Sequence, residues 1–251
     1  MSLVGKTVIV TGSGGGLGLI IARTLLTAGG NIVICDVNEA RLATVRTDTK
    51  TFLPDRVLIE QVDVTDESSV QQMIVKSVAR FGRLDMVVNN GAIMDRFDPA
   101  GDCPKELWDR VLAVNLTGPF LVTKHAMPHL LAEAGSCIVN IASNASFRGL
   151  AGGAAYTASK HGLVGLTRNT AGSYPVACVA LILGGMEATN IKDAFGAGVN
   201  EEGMRRLLDT QPGNRTVSPV DVARTVVFLG EGMAKSMNGS CVTMNENWPE
   251  A

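Results

Sequence analysis

The sequence has little charge to spare in either direction. Its 22 Lys and Arg stand against 24 Asp and Glu, for a net charge of −2. That leaves no basic footprint for nucleic acid. Long apolar runs are missing too, and none approaches the length of a bilayer span. No secretory leader is expected, because a strand-like segment and a glycine cluster begin almost at once. The five cysteines, at 35, 103, 137, 178 and 241, are odd in number and never spaced C-x-x-C. This argues against a disulfide framework and against zinc, and predicts a reducing, cytoplasmic location. His125 and His129 are four apart but have Pro128 between them, and His161 is remote, so no metal site is expected. The 251 residues suffice for one sizeable α/β domain without a membrane or nucleic-acid partner.

What is present centres on residues 7–26. Thr7-Val8-Ile9-Val10-Thr11 is a β-branched run suited to a buried strand. Gly12-Ser13-Gly14-Gly15-Gly16-Leu17-Gly18 is a tight turn, and the apolar spacing that follows is helical. A strand, glycine turn and helix make an anion site, because the first helical N–H groups lack partners and the helix dipole favours phosphate. The strict G-x-G-x-x-G fingerprint is absent. The pattern is T-G-x-x-x-G-x-G, in Thr11, Gly12, Gly16 and Gly18. Val33-Ile34-Cys35 reads as a second strand ending in Asp36, where an acid would bind a ribose 2′-hydroxyl. Gly5-Lys6-Thr7 lacks the earlier glycine of a phosphate-binding P-loop and is rejected as one.

Further strands are expected at 57–62, 84–88, 137–141, 179–183 and 240–244. Helices are expected at 38–47, 66–81, 156–168 and 218–229. A long helical region at 105–131 contains Asn115 and should break near Pro119 or Pro128. Thr65 or Asp66 should cap the helix that Gly82 ends. Alternating strands and helices predict a single domain: a doubly wound, Rossmann-type parallel sheet with helices on both faces. Ligands belong at the carboxyl ends of its strands.

The reactive side chains fall at those ends. Ser143 follows the fifth strand, and Tyr156 and Lys160 share one helix face at i, i+4. A unit charge at ~4 Å is worth about 4 kcal/mol at an effective dielectric of 20. A neighbouring ammonium is therefore expected to lower the tyrosine pKa by up to ~3 units, towards working pH.

These motifs together resemble the short-chain dehydrogenase/reductase family over nearly the whole chain. The resemblance rests on the glycine pattern, Asn89-Asn90, Asn115 in Val114-Asn115-Leu116-Thr117-Gly118, Ser143, Tyr156-x-x-x-Lys160, and Pro219-x-Asp221-Val222-Ala223. It implies an NAD-dependent oxidoreductase interconverting a secondary alcohol and a ketone. Tyr156 would exchange a proton with the substrate oxygen, which Ser143 would hydrogen-bond. Lys160 would hold the nicotinamide ribose and lower the Tyr156 pKa. Asn115 would hold a relay water. The cofactor would meet Gly12, Gly16, Leu17, Gly18, Asn90, Gly91, Tyr156, Lys160, Gly185 and Thr189. Asp63 and Val64 resemble the adenine-contacting pair, and Asp36 would favour NAD over NADP.

The chain departs from the family in four places. Gly91-Ala92 reverses the usual Ala-Gly. Gly184-Gly185 and Ala180 replace the usual Pro-Gly and an earlier Asn. The segment 173–180 is about two residues short. Asn245-Glu246-Asn247, followed by Trp248, replaces Asp-Gly-Gly.

Residues 186–218 read as a mobile lid, with a glycine-rich polar middle and apolar flanks that include Met186, Phe195, Met204 and Leu207. Ile93, Met94, Phe97, Phe147 and Leu150 should supply facing walls. Apolar walls suit a lipophilic cyclic alcohol or ketone of terpenoid, steroid-like or polyketide type. Packing of the lid onto the sheet would use the same residues. The resemblance also implies a homotetramer or homodimer through the Asn115 and Tyr156 helices. Their small residues, among them Ala113, Gly118, Ala158, Gly162 and Gly165, permit close approach between subunits or within one. Two other functions remain open: the same fold using NAD for epimerisation, dehydration or cyclisation, and a catalytically silent nucleotide sensor or scaffold.

Overall fold

A computed structural model describes residues 3–49, 54–186, 189, 198–210 and 216–246. Seven strands form one sheet: β1 (Thr7–Thr11), β2 (Asn31–Asp36), β3 (Val57–Gln61), β4 (Met86–Asn89), β5 (Cys137–Ser143), β6 (Ala177–Leu183) and β7 (Cys241–Met244). Their order is β3-β2-β1-β4-β5-β6-β7 and every pairing is parallel. The helices are α1 (Gly16–Thr27), α2 (Glu39–Thr49), α3 (Glu67–Phe81), α4 (Lys105–Leu112), α5 (Gly118–Leu130), α6 (Ala154–Ser173), α7 (Glu201–Thr210) and α8 (Pro219–Gly230). This is the expected doubly wound architecture in one domain.

Successive strand residues point to opposite faces, so a strand buried on both sides must be apolar throughout. β1 shows this directly. Val8 and Val10 join a core with Leu17, Ile21 and Leu25 of α1 and Val222, Val226 and Leu229 of α8. Ile9 faces the other way, into a core with Val70, Met73 and Ile74 of α3 and Leu121, Val122 and Leu130 of α5. The strand order reverses between β1 and β4, which opens a ligand crevice at their carboxyl ends. Asp66 caps α3 by accepting from Ser68 N–H at 2.9 Å, and Gly82 ends the helix in the left-handed conformation.

Two elements differ from expectation. The helical region around Asn115 does not break at either proline. It widens into a π-helical turn over Ala113–Thr117, and Pro119 sits in the first turn of α5. A proline acts four residues upstream, because its ring crowds that carbonyl and offers it no N–H. Four residues before Pro119 is Asn115. The second difference is α7, which occupies a stretch read as flexible. Its register is amphipathic: Met204 and Leu207 pack inward. Arg205 pairs with Glu202 and Asp209, and Arg206 with Glu202, on the outer side. Gly203 packs directly on the segment after β4, since a Cβ there would lie 2.1 Å from the Phe97 carbonyl oxygen.

The small residues of α5 and α6 divide between roles. A Cβ on Gly118 would press on Val64, and one on Gly162 on Leu116, so both serve packing within this chain. Gly165 faces open space.

Candidate active site

The crevice floor is the glycine turn. Gly12 and Gly16 have φ of +61° and +54°, conformations that favour glycine. Close approach matters as much: a Cβ on Gly12 would lie 2.6 Å from Gly91 Cα, and one on Gly18 2.3 Å from the Gly12 oxygen. The turn is laced to β2 by Ser13, whose N–H donates to the Cys35 carbonyl at 3.0 Å. The Ser13 hydroxyl donates to the Val10 carbonyl at 2.6 Å and accepts from Cys35 N–H at 3.0 Å. α1 starts behind Gly15 with no side-chain cap and no acid in its own first turn, which leaves its first N–H groups without a side-chain partner on the helix. Leu17 is buried beneath.

Asp36 closes β2 and is buried. Its Oδ2 accepts from Gly14 N–H and its Oδ1 from Asn38 N–H, both at 3.0 Å. Each carboxylate oxygen keeps a second lone pair. Across the switch point, Thr11 Oγ1 accepts from the N–H groups of Asn90 at 3.1 Å and Gly91 at 3.0 Å. Asn90 Nδ2 returns bonds to the Thr11 and Gly12 carbonyls. Farther out, Asp63 Oδ1 accepts from the Thr65 N–H and hydroxyl, and Val64 packs on Gly118. The Gly185 carbonyl accepts from Val217 N–H at 2.8 Å, and Thr189 is half-buried.

Ser143, Tyr156 and Lys160 meet beyond the end of β5. The Tyr156 phenol is buried on the side of α6 that faces Ser143. Lys160 Nζ donates to the Ile141 carbonyl at 2.8 Å and lies 5.6 Å from the Tyr156 ring centroid. Burial lowers the Lys160 pKa to about 8. The tyrosine departs from expectation: burial pushes it up to about 12, opposed by the Ser143 hydrogen bond and reinforced by the Asp95 charge. The i, i+4 spacing does bring the two side chains together. Desolvation disfavours the phenolate, however, and the ammonium is turned to a carbonyl beneath.

The Asn115 side chain is fully engaged. Its Oδ1 accepts from Ile93 N–H, and its Nδ2 donates to the Ile93 carbonyl and to Ser159 Oγ. It therefore fixes the π turn to the segment after β4.

Asp95 and Asp98 are the residues that sequence reasoning missed. Asp95 is fully buried and accepts from the N–H groups of Phe97, Gly153 and Tyr156. Asp98 is buried beside Arg96 and accepts from Asn200 Nδ2 at 3.2 Å. Asn200 N–H donates to the Arg96 carbonyl at 2.8 Å. One tetrapeptide thus anchors the N-termini of α6 and α7. Its sequence signal is two acids in an otherwise apolar stretch after a strand. Arg96 is tied to Asp98.

The expected substrate walls separate into groups. Met94 and Phe97 are buried in one cluster with Tyr156 and Leu207, against which Ile93 and Met204 pack. Met186 packs on the opposite core. Phe147 and Leu150 are 53% and 50% exposed, and Leu150 lines a cleft of about 670 Å³ with Phe97, Gly203 and Leu207. Phe195 lies outside the described residues, as does Trp248.

A dinucleotide fold with serine, tyrosine and lysine at the sheet's carboxyl edge defines a class of oxidoreductases, and the comparisons agree. The model of the short chain dehydrogenase family matches residues 6–199. The chain is 42% identical to short chain dehydrogenase/reductase dpchG of Colletotrichum higginsianum, over 98% of this chain and 94% of that one. It is 32% identical to 3beta-hydroxysteroid dehydrogenase 2 of Eggerthella lenta, over 98% and 95%. A crystal structure of a variant of actinorhodin polyketide ketoreductase with NADPH superposes with a TM-score of 0.84 at 27% identity, over 98% of each chain. The chain belongs to the short-chain dehydrogenase/reductase family. It is an oxidoreductase of a family that binds a nicotinamide cofactor.

Proposed function

We propose that this protein interconverts a secondary alcohol and a ketone with NAD(H), on a lipophilic cyclic substrate. The observation that carries the reading is the convergence of Ser143, Tyr156 and Lys160 beside the glycine turn. The turn suits a dinucleotide, since Gly12 and Gly18 leave no room for a Cβ and let the turn close tightly on residues 90 and 91, and α1 has no acid in its first turn. Gly12, Gly16, Leu17, Gly18, Asn90 and Gly91 would hold it, with Asp63 and Val64 near the adenine and Gly185 and Thr189 near the carboxamide. Asp36 would take the ribose diol on its remaining lone pairs, and its charge would repel a 2′-phosphate.

When bound, the nicotinamide supplies or accepts the hydride. The residues supply position and electrostatics. In the reducing direction Ser143 donates a hydrogen bond to the carbonyl oxygen, and Tyr156 delivers its proton to that oxygen. Lys160, charged at neutral pH, holds the nicotinamide ribose. Asn115 keeps the π turn in register behind them.

Apolar Met94, Phe97 and Leu207 around Tyr156 support a lipophilic substrate. So do the names of two relatives, a hydroxysteroid dehydrogenase and a polyketide ketoreductase. We read the protein as cytoplasmic and as a homodimer or homotetramer, with the open Gly165 and Ala158 on a candidate contact face. The test is NADH turnover on two series, cyclic hydrophobic alcohols against polyols and hydroxy acids. Preference for the first is expected, and preference for the second overturns the substrate reading.

A further inference from the structure

We propose that Asp95 is a positioning residue for Tyr156, holding the N-terminus of α6 against the segment after β4 and setting a buried carboxylate beside that residue. The proposal rests on Tyr156 being the proton donor. Asp95 is fully buried, and its two carboxylate oxygens take three N–H groups: Phe97 at 3.0 Å, Gly153 at 2.9 Å and Tyr156 at 2.8 Å. The last of these belongs to the residue whose phenol meets Ser143. Glycine at 153 is required for the approach, because a Cβ there would lie 2.6 Å from Asp95 Oδ2. Phe97 has φ of +64°, a strained conformation for its side chain, and the bond from its N–H to Asp95 helps hold it there. The contact therefore carries strain on one side and the catalytic helix on the other.

The ionisable and polar groups facing this end of α6 are few. Lys160 comes from the same helix and Ser143 from β5. Asp95, Arg96 and Asp98 come from the segment after β4, with Cys103 ahead of α4. Asp102, His161, Glu202 and Arg206 line the adjoining cleft, and the last two pair with each other. Arg96 is matched to Asp98. Asp95 is the carboxylate bonded to α6 itself, and its charge opposes formation of a phenolate.

Only two tyrosines occur, Tyr156 and the exposed Tyr174, so both can be followed by NMR with 13Cζ-labelled tyrosine, without substrate. Tyr156→Phe assigns the two resonances. Asp95→Asn should move the Tyr156 titration to lower pH and leave Tyr174 unchanged. It should also lower kcat by roughly tenfold or more, the scale of a small misplacement of a reacting group, with the KM for NADH little changed. Gly153→Ala keeps the charge and disturbs only the contact, so kcat should fall while the titration stays nearer that of the wild type. An unmoved Tyr156 resonance in a folded Asp95→Asn variant overturns the electrostatic role. If that variant does not fold, Gly153→Ala decides the positioning role, and unchanged kcat there overturns it. Because the titration needs no turnover, failure of the substrate reading would leave this result interpretable.

Discussion

Asn115 and Ile93 form a closed pair: the Asn115 carboxamide accepts from the Ile93 N–H at 2.8 Å and donates to the Ile93 carbonyl at 2.9 Å. This joins a widened helical turn to the segment leaving β4. Asn115→Ala would leave both backbone groups without that partner, at about 1–3 kcal/mol each. The melting temperature should fall by several degrees, given ~2–4 °C per kcal/mol for a chain of this size. A thermal melt within a degree of wild type would show the bridge to be dispensable.

Gly18 permits contact between the glycine turn and α1. Gly18→Ala should abolish tight NADH binding, because its Cβ would meet the Gly12 oxygen at 2.3 Å and Asn90 Nδ2 at 2.5 Å. NADH fluorescence titration reads this directly. Undiminished affinity would mean the dinucleotide lies elsewhere.

Asp36 sets the expected cofactor choice. Wild type should show higher kcat/KM with NAD(H) than with NADP(H), and Asp36→Ala should erode the difference by removing both the acceptor and the repulsion. The actinorhodin ketoreductase structure, of the same fold, holds NADPH. Equal kcat/KM for the two in wild type would refute the assignment.

Tyr156 and Lys160 should leave opposite marks on stability against pH. The folded chain keeps the Tyr156 proton up to about pH 12, whereas an unfolded tyrosine loses it near 10. Stability from this group is present below pH 10 and lost as pH rises through 12, by roughly 2–3 kcal/mol. Lys160 acts in reverse. It gives up its proton near pH 8 when folded and near 10.5 when unfolded, so its burial costs stability below pH 8, a cost relieved as pH climbs to 10.5. Urea unfolding of Tyr156→Phe should show a flatter alkaline limb, and Lys160→Met should gain stability near neutrality. Tyr156→Phe should also lower kcat by ~10² or more. Parallel stability curves for wild type and both variants would contradict this account.

Assembly is tested by light scattering. A dimer or tetramer is expected at micromolar concentration, and a stable monomer would rule out a subunit interface on α5 and α6.

The sheet and the meeting of Tyr156 with Lys160 were legible because both depend on short-range pattern. β-branched runs mark buried strands, and a spacing of four places Tyr156 and Lys160 on one face. What the sequence hid was long-range. Gly203 looks like a hinge until Phe97 is found against it, and Asp95 looks like a surface acid until Gly153 and Tyr156 close over it. The raised Tyr156 pKa was invisible for the same reason: a spacing reveals a neighbouring charge, but burial is a property of the whole fold. Pro119 was read as a break at its own position, whereas its steric reach falls on Asn115.

The meeting of Gly203 with the Phe97 carbonyl has a bearing on how this enzyme could be re-engineered. Swapping α7 for that of a relative is an obvious way to change what the cleft admits. The transplanted helix would have to present no side chain at position 203, or else arrive with its own version of residues 95–98. Those four residues also hold the helix of Tyr156. Changing α7 alone would therefore disturb the N-terminus of α6, and the two segments make sense as a single exchangeable cassette.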